Sequence, residues 1–418
     1  MAIANDFAEQ NIITVQDGEQ AFFELFTKKY DISWSFEEKK NSILPLSKSY
    51  VGYITTPNRV ISLKPKYSEI GFEHIIRLYL YVYGYRPTDS AAILDVSDSE
   101  TSADVADMFL KNLRRNVQQG IIRTYDSEEI TTKAIKGRVN YTKTYLAATM
   151  RKRKFVDTRV SVLSLNNDYN NLILTALHKL QRVTKFSAMA TELSMYFDGA
   201  QSNIINGSAV LERINFNSNT ARYRRTLTYA AMIIDQLSYS DRGSTVGTDS
   251  FLINFDRLFE DFVAKVLKEI PEKKEFTTWA NKKRFADVIG VNGKYEEREY
   301  QPDIIYRYLP EDEKYDYMPS AYAVLDVKNK AYGQFKNADI YQMLTYVRLL
   351  HGKKALLLYP SFHKRFPESL SLEASIFDPA TITACFVNIA DENGADFLKS
   401  IRWFVDAVVN SIWEIPIK

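Results

Sequence analysis

Gln301-Pro302-Asp303-Ile304-Ile305-Tyr306, then Ala321-Tyr322-Ala323-Val324-Leu325-Asp326-Val327-Lys328, then Asp339-Ile340-Tyr341-Gln342-Met343-Leu344-Thr345-Tyr346: these three segments decide how the rest of the chain is read. The first two are short β-branched and aromatic runs bounded by Pro and acidic turn material, which reads as two neighbouring strands of a buried sheet. The third reads as a helix. Side chains alternate faces along a strand, so Asp326 and Lys328 project the same way, and an adjacent strand brings Asp303 beside them. Two carboxylates and an ammonium at one sheet edge suit Mg²⁺, which takes hard oxygen ligands and completes its octahedron with water and phosphate oxygens. Such a metal acidifies a water and offsets phosphoryl charge, while the lysine positions the water or the phosphate. Phosphodiester hydrolysis is the reaction this pattern fits.

The Asp-x-Lys spacing alone is a weak signal. Comparable acid-x-Lys triplets occur at Asp312-x-Lys314, Glu272-x-Lys274 and Glu37-x-Lys39. What separates Asp326 is order: an apolar strand before it, a Pro-Asp strand start upstream and a Gln-x-x-x-Tyr helix downstream. A strand-ending acid and a solvated edge lysine would explain any one of these residues, but explain the ordered set poorly.

Composition sets the outer limits. The chain has 418 residues, long enough for two or three domains, with 45% hydrophobic and 25% charged residues, as in an ordinary globular protein. A formal net charge of +2 does not mark a nucleic-acid binder, so any DNA-facing surface must come from local clustering. The single cysteine, Cys385, excludes intrachain disulfides and cysteine-based zinc or iron–sulfur sites, and its apolar setting predicts a buried structural thiol. His74, His178, His351 and His363 are scattered without ligand spacing. Residues 1–10 lack the pattern of a signal peptide and no apolar run is long enough to span a membrane, so the cytoplasm is the expected compartment.

Along the chain, residues 1 to about 67 read as β-rich, with a hairpin of Val51–Ile54 and Val60–Leu63 around Pro57-Asn58-Arg59. A helix is expected over Phe72–Tyr85, another after the cap pair Thr101-Ser102, another from Asn170, and another over Leu227–Leu237. Arg151-Lys152-Arg153-Lys154 is a basic cluster for phosphates or an acidic partner, or simply a solvated loop. Residues 238–250, rich in Ser, Gly, Asp and Thr, mark a domain boundary. The domains expected are a β-rich region at 1–95, a mainly helical partner-docking region at 96–245 and a third domain at 250–418.

In that third domain Asn254–Glu269 is strongly amphipathic, with Phe255, Leu258, Phe259, Phe262, Val263, Val266 and Leu267 on one broad face. Glu260 falls beside this stripe, a candidate third metal carboxylate, although a solvent-facing helix acid needs no function. Strands are expected at Phe285–Val291, Ala355–Pro360 and around Cys385, with a helix over Phe397–Trp413. Their order predicts an α/β sandwich with a mixed sheet. Gly352-Lys353 lacks the glycine and hydroxyl residues of a phosphate-binding loop, so the chain is not expected to hydrolyse nucleoside triphosphates itself.

Pro302-Asp303, Asp326-x-Lys328 and Gln342-x-x-x-Tyr346 together resemble the PD-(D/E)xK nuclease superfamily. The wider chain is similar to the McrC family, the nuclease subunits of McrBC-type restriction systems that cut modified DNA. Ile135-Lys136-Gly137-Arg138, Asn254-Phe255-Asp256-Arg257-Leu258-Phe259-Glu260-Asp261-Phe262, Leu325-Asp326-Val327-Lys328, Ile340-Tyr341-Gln342 and Leu356-Leu357-Leu358-Tyr359-Pro360 carry that likeness over roughly residues 50 to 360. The resemblance implies a PD-(D/E)xK sandwich at the C-terminus, Mg²⁺ held by Asp303 and Asp326, a water assisted by Lys328, and Gln342 and Tyr346 supporting the site or touching DNA. It also implies a separate McrB-like AAA+ GTPase hexamer on which the chain docks and whose GTPase it stimulates. The basic candidates for that stimulation include Arg151–Lys154 and Arg222–Arg225. Two other expectations stay open: an adaptor that activates the GTPase with little nuclease activity, and a stand-alone nuclease of the same fold.

Overall fold

The computed structural model describes residues 10–86, 89–96, 105–151, 155–182, 185–237, 251–269, 275–279, 283–289, 295–310, 319–372 and 380–414. The cap pair Thr101-Ser102, the basic residues Lys152-Arg153-Lys154, residues 311–318 and the boundary segment 238–250 lie outside them. The chain begins with β1 (Gln10–Thr14), α1 (Gln20–Lys29), α2 (Phe36–Lys40), β2 (Ile43–Ser47), β3 (Tyr50–Thr55), β4 (Val60–Leu63) and α3 (Phe72–Tyr79). α4 (Val105–Gln118), β5 (Thr124–Thr132), β6 (Arg138–Val139), α5 (Tyr141–Arg151), β7 (Val156–Ser164) and α6 (Asp168–Leu180) follow. Next come α7 (Ser187–Ser194), α8 (Gly207–Arg213), α9 (Arg224–Leu237), β8 (Phe251–Asn254) and α10 (Phe255–Glu269). The remainder is β9 (Phe276–Thr278), β10 (Lys283–Ile289), β11 (Tyr295–Tyr300), β12 (Ile304–Leu309), β13 (Ser320–Val327), α11 (Asn337–Leu349), β14 (Lys354–Ser361), β15 (Glu368–Leu372), β16 (Ala380–Asn388) and α12 (Gly394–Trp413).

These elements form two compact units, Met1–Ser102 with Ser250–Lys418, and Ala103–Asp249. The expected separate domain at 1–95 therefore shares a unit with the C-terminal region. The physical reason is strand pairing: β3 lies between β4 and β8, with Val51 opposite Ile253, so the N-terminal hairpin and the strand leading into α10 are one sheet. The N-terminal stretch is also less purely β than expected. Phe22, Phe23 and Phe26 of α1 are buried at helical spacing and close over Leu44 and Leu46 of β2.

The first unit is built on a six-stranded sheet, order β15-β16-β14-β13-β12-β9. Its centre is parallel, with β13 beside β14 and β14 beside β16, and its flanks are antiparallel. Parallel strands covered on both faces read as continuous apolar runs, which is why Leu356-Leu357-Leu358 can sit at the middle with each residue essentially inaccessible. One face packs on α11 through Met343 and Tyr346, against Val324, Leu357 and Phe386. On the other face Cys385 lies 3.7 Å from Ser411 of α12. The thiol is fully buried, as expected, and burial pushes it up to about 12.

Residues 103–249 form the second unit. α4, α6 and α9 pack as helices, with Asn116 donating to Thr226 at 2.8 Å in the buried interior. Alongside them stands a three-stranded antiparallel sheet, order β5-β7-β6, which the mainly helical expectation did not include. β5 reads Thr-Tyr-Asp-Ser-Glu-Glu-Ile-Thr-Thr and buries none of its residues, so no apolar alternation announces it. Gly137 makes the turn into β6 at φ +76, where a Cβ would meet the Arg159 carbonyl oxygen at 2.3 Å, so the Lys-Gly-Arg sequence fits close backbone approach.

α10 is anchored at its far end by Lys265, whose ammonium donates to the carbonyls of Tyr81, Val82 and Tyr85 at 2.8–2.9 Å, at the π-helical turn Leu80–Gly84 after α3. Removing that donor leaves three carbonyls short of a charged partner, a loss of about 1.5–3 kcal/mol or more. Lys265→Met is therefore expected to lower the unfolding free energy by that amount in denaturant titrations. A variant as stable as the wild type would show that the lysine cage contributes nothing net.

Candidate active site

β12 and β13 run antiparallel with Ile304 opposite Leu325, and one further step of that register sets Asp303 against Asp326. Asp326 is the last residue but one of β13, opposite Leu357 of β14, and is 2% exposed. Asp303 is half-buried, and its Oδ2 accepts the Val327 amide at 2.7 Å, which ties the start of β12 to the end of β13. The two carboxylates expected from sequence are therefore brought together by the strand pairing that the sequence implied.

Lys328 follows on the same face. Its backbone amide donates to the Leu358 carbonyl at 2.8 Å, one residue past the end of β13. Its ammonium lies against Asp326 Oδ2 and donates to Gln342 Oε1 at 2.8 Å. Gln342 is placed by α11, and its amide donates to Tyr346 Oη at 2.9 Å and reaches Asp326 Oδ1 at 3.4 Å. Tyr346 in turn donates to the Gln301 carbonyl at 3.2 Å. Gln342 and Tyr346 stand one helical turn apart, so a single helix face closes the ring Asp326, Lys328, Gln342, Tyr346, Gln301.

The electrostatics of this ring are uneven. Burial first, and then the Asp326 charge, push the Asp303 carboxyl up to about 7, against the opposing pull of the Val327 amide. Asp326 is also raised by burial, with Lys328 acting against the rise. Burial alone would lower Lys328, but the Asp326 carboxylate outweighs it and holds the ammonium above the usual lysine range. Lys328 is thus a proton-bearing donor at neutral pH rather than a base. A second acid–lysine pair sits alongside: Lys330 binds Asp339 of α11 at 2.7–2.8 Å, and Tyr359 reaches Asp339 Oδ2 at 3.4 Å. The sequence reading did not single this pair out, although the period-two run Asp326, Lys328, Lys330 was its signal.

Glu260 is placed differently from Asp303 and Asp326. It lies exposed on α10, and desolvation followed by Asp261, Asp256 and Asp326 raises its carboxyl. Among the described residues no three His, Cys, Asp or Glu side chains gather closely enough to hold a metal together. Glu260 senses the site electrostatically without completing a three-carboxylate set. The remaining pair still fits a Mg²⁺ ion. Its donors are hard carboxylate oxygens, Asp326 Oδ2 is buried against the Lys328 ammonium, and Mg²⁺ is commonly held by one or two carboxylates with water and phosphate.

The basic residues considered for partner stimulation are partly committed elsewhere. Arg224 is buried with its guanidinium 4.1 Å from the Phe216 ring, and Arg222 donates to the Gly120 and Asn219 carbonyls at 2.8 and 2.9 Å. Both hold the second unit together. Among the described residues no helix is long and apolar enough to cross a membrane.

Comparison with known proteins adds the family. The chain is similar to a chain of a refined half-complex from a tetradecameric assembly of Thermococcus gammatolerans McrB AAA+ hexamers with bound McrC, at 16% identity and a TM-score of 0.54, covering 96% of this chain and 98% of that one. At that identity the likeness concerns the fold, over nearly the full length of both chains. A chain of the Thermococcus gammatolerans McrBC complex also matches, at 18% identity and a TM-score of 0.41, covering 62% of this chain and 85% of that chain. No curated protein matches. The family model described as McrBC 5-methylcytosine restriction system component matches residues 46–360, and by that match the chain belongs to the McrBC 5-methylcytosine restriction system component family.

Proposed function

We propose that this chain is the Mg²⁺-dependent DNA endonuclease subunit of a GTP-dependent restriction system that cleaves modified, methylcytosine-type DNA, docking on and stimulating a McrB-like AAA+ GTPase hexamer. The observation that carries the reading is the pairing of Asp303 with the buried Asp326, with the Lys328 ammonium on Asp326, in a chain whose family is a restriction-system component. Asp303 and Asp326 would hold the metal. When bound, Mg²⁺ would offset the charge that builds on the scissile phosphate and acidify a water. Lys328, kept protonated, orients that water or a phosphate oxygen by donating to it. Gln342 holds Lys328 and Asp326 in register, and Tyr346 fixes Gln342 from below.

The second unit suits docking. Tyr125, Ile135, Tyr141, Tyr145 and Leu163 are all at least half exposed on and beside its small sheet. Exposed apolar groups gathered in one region mark interaction surfaces. Assigning the docking role to this unit matches the division implied in the family: the motor reads and moves DNA, and this chain cuts it.

The test is cleavage of modified and unmodified plasmid with Mg²⁺ and GTP, with and without the ring GTPase. Double-strand cutting that needs the partner and falls at least about 100-fold in Asp326→Ala, while GTPase stimulation persists, is the expected outcome. Cutting without the partner would instead favour a stand-alone nuclease, and full biological activity of Asp326→Ala would favour an adaptor. Substituting Ser at Tyr141 and Tyr145 together is expected to weaken GTPase stimulation and leave Mg²⁺ binding intact, measured by GTP turnover and calorimetry. The pH dependence also follows from the site. Asp303 must lose its proton to ligate, and with that carboxyl near 7 the apparent Mg²⁺ affinity is expected to weaken as pH falls through about 7 and to level off above it. Calorimetric titration across pH 6–8.5, on the order of one unit either side of that value, checks it; a flat profile in the wild type would contradict the assignment.

A further inference from the structure

We propose that Asp256 and Lys66 form a positioning clamp that sets the root of Lys328, so that a residue from the N-terminal sheet region controls the geometry of the candidate active site. The proposal rests on the nuclease reading above. β13 ends at Val327, and beyond the Lys328 amide the backbone leaves the sheet in a tight turn, with the Lys330 amide donating to the Lys328 carbonyl at 2.8 Å. A lysine ammonium on a flexible four-carbon stem is placed only as well as its backbone is placed. The sheet holds Lys328 through its amide bond to the Leu358 carbonyl, and the turn that follows takes its restraint from elsewhere.

Asn329, between the two lysines, supplies it through three separate atoms. Its Nδ2 donates to Asp256 Oδ1 at 2.8 Å, its Oδ1 accepts from Tyr67 Oη at 3.0 Å, and its backbone carbonyl accepts from the Lys66 ammonium. Lys66 also binds Asp256 Oδ1 at 2.8 Å, and Ser49 donates to Asp256 Oδ2. One carboxylate at the start of α10 therefore gathers Ser49 from the β2–β3 turn, Lys66 from beyond β4 and Asn329 from the end of β13. Aromatic rings back the clamp: Tyr67 sits 5.0 Å from Phe362 and 6.0 Å from Phe255.

Energetics separate this role from plain stability. The Asp256 side chain is 44% exposed, and a half-exposed ion pair adds little to folding, whereas a displacement of an ångström at a reacting group costs rate steeply. The contacts of Asp256 and Lys66 run to Ser49, to Asn329 and to each other, not to Asp303, Asp326 or Gln342. They act through Asn329 on Lys328 and are positioning residues.

The experiment uses the full chain with its ring GTPase, modified plasmid, Mg²⁺ and GTP. It compares wild type, Asp256→Asn, Lys66→Met, the double variant, Lys66→Arg, and Asp326→Ala as the nuclease control. Asp256→Asn and Lys66→Met are each expected to lower the saturating cleavage rate by about 10- to 100-fold, with KM for DNA, GTPase stimulation and calorimetric Mg²⁺ binding at wild-type values. The double variant is expected to be no slower than the slower single one, because both act through Asn329. Lys66→Arg, which keeps the charge, is expected to recover most of the rate. Wild-type cleavage rates in both single variants, beside a dead Asp326→Ala, would overturn the clamp alone. Cleavage lost in parallel with GTPase stimulation and Mg²⁺ binding would also overturn it, by showing general structural damage. A wild type that makes no Asp326-dependent cut would remove the nuclease reading and the clamp with it.

Discussion

Holding two carboxylates side by side at the end of a buried strand is the constraint around which the first unit is arranged. An ionised carboxylate taken out of water must be paired, coordinated or neutralised. Here the Lys328 ammonium and the Gln342 amide lie against Asp326, and the Val327 amide lies against Asp303. The Asp303 carboxyl is raised by burial first and then by the Asp326 charge. Two carboxylates held together in this way suit a positive partner, and the one we propose is a divalent ion that brings a phosphate with it. The parallel centre of the sheet gives the strands enough buried length to hold the charges there. α11 contributes the amide and phenol that keep the lysine and the acids in register.

Much of this was legible in sequence because it is local and periodic. Asp326 and Lys328 are two apart on one strand, Gln342 and Tyr346 are four apart on one helix, and Asp303 begins the partner strand, so alternation and helical spacing sufficed to place them on common faces. The buried thiol at Cys385 and the apolar strand at Leu356–Leu358 were legible for the same reason. The clamp was not. Lys66 and Asp256 are separated by 190 positions and Lys66 and Asn329 by 263, and no local pattern in the sequence pairs them. The sheet of β5, β6 and β7 escaped for a different reason: it is held by strand pairing rather than by a buried face, so its sequence carries charges where a strand signal needs apolar alternation. In α1 the helical spacing of Phe22, Phe23 and Phe26 was present but outweighed by the β-rich surroundings.

The division into two units gives a physical sense to the length of the chain. The unit with the charged strand ends holds the candidate chemistry, and its N-terminal hairpin is built into it through β3 and β8 rather than standing apart. The unit at 103–249 has its own helical core and exposes the aromatic side chains Tyr125, Tyr141 and Tyr145. The proposed division assigns cutting to the first of these units and docking to the second.

The central claim is that Asp303 and Asp326 share a divalent cation beside Lys328, and the most direct measurement is anomalous X-ray scattering from crystals soaked in Mn²⁺, a redox-active but similarly oxygen-seeking substitute for Mg²⁺. The structure leads to one strong peak ligated by oxygens of both aspartates, absent from crystals of Asp326→Ala. A peak elsewhere, or none between the two carboxylates, would contradict it.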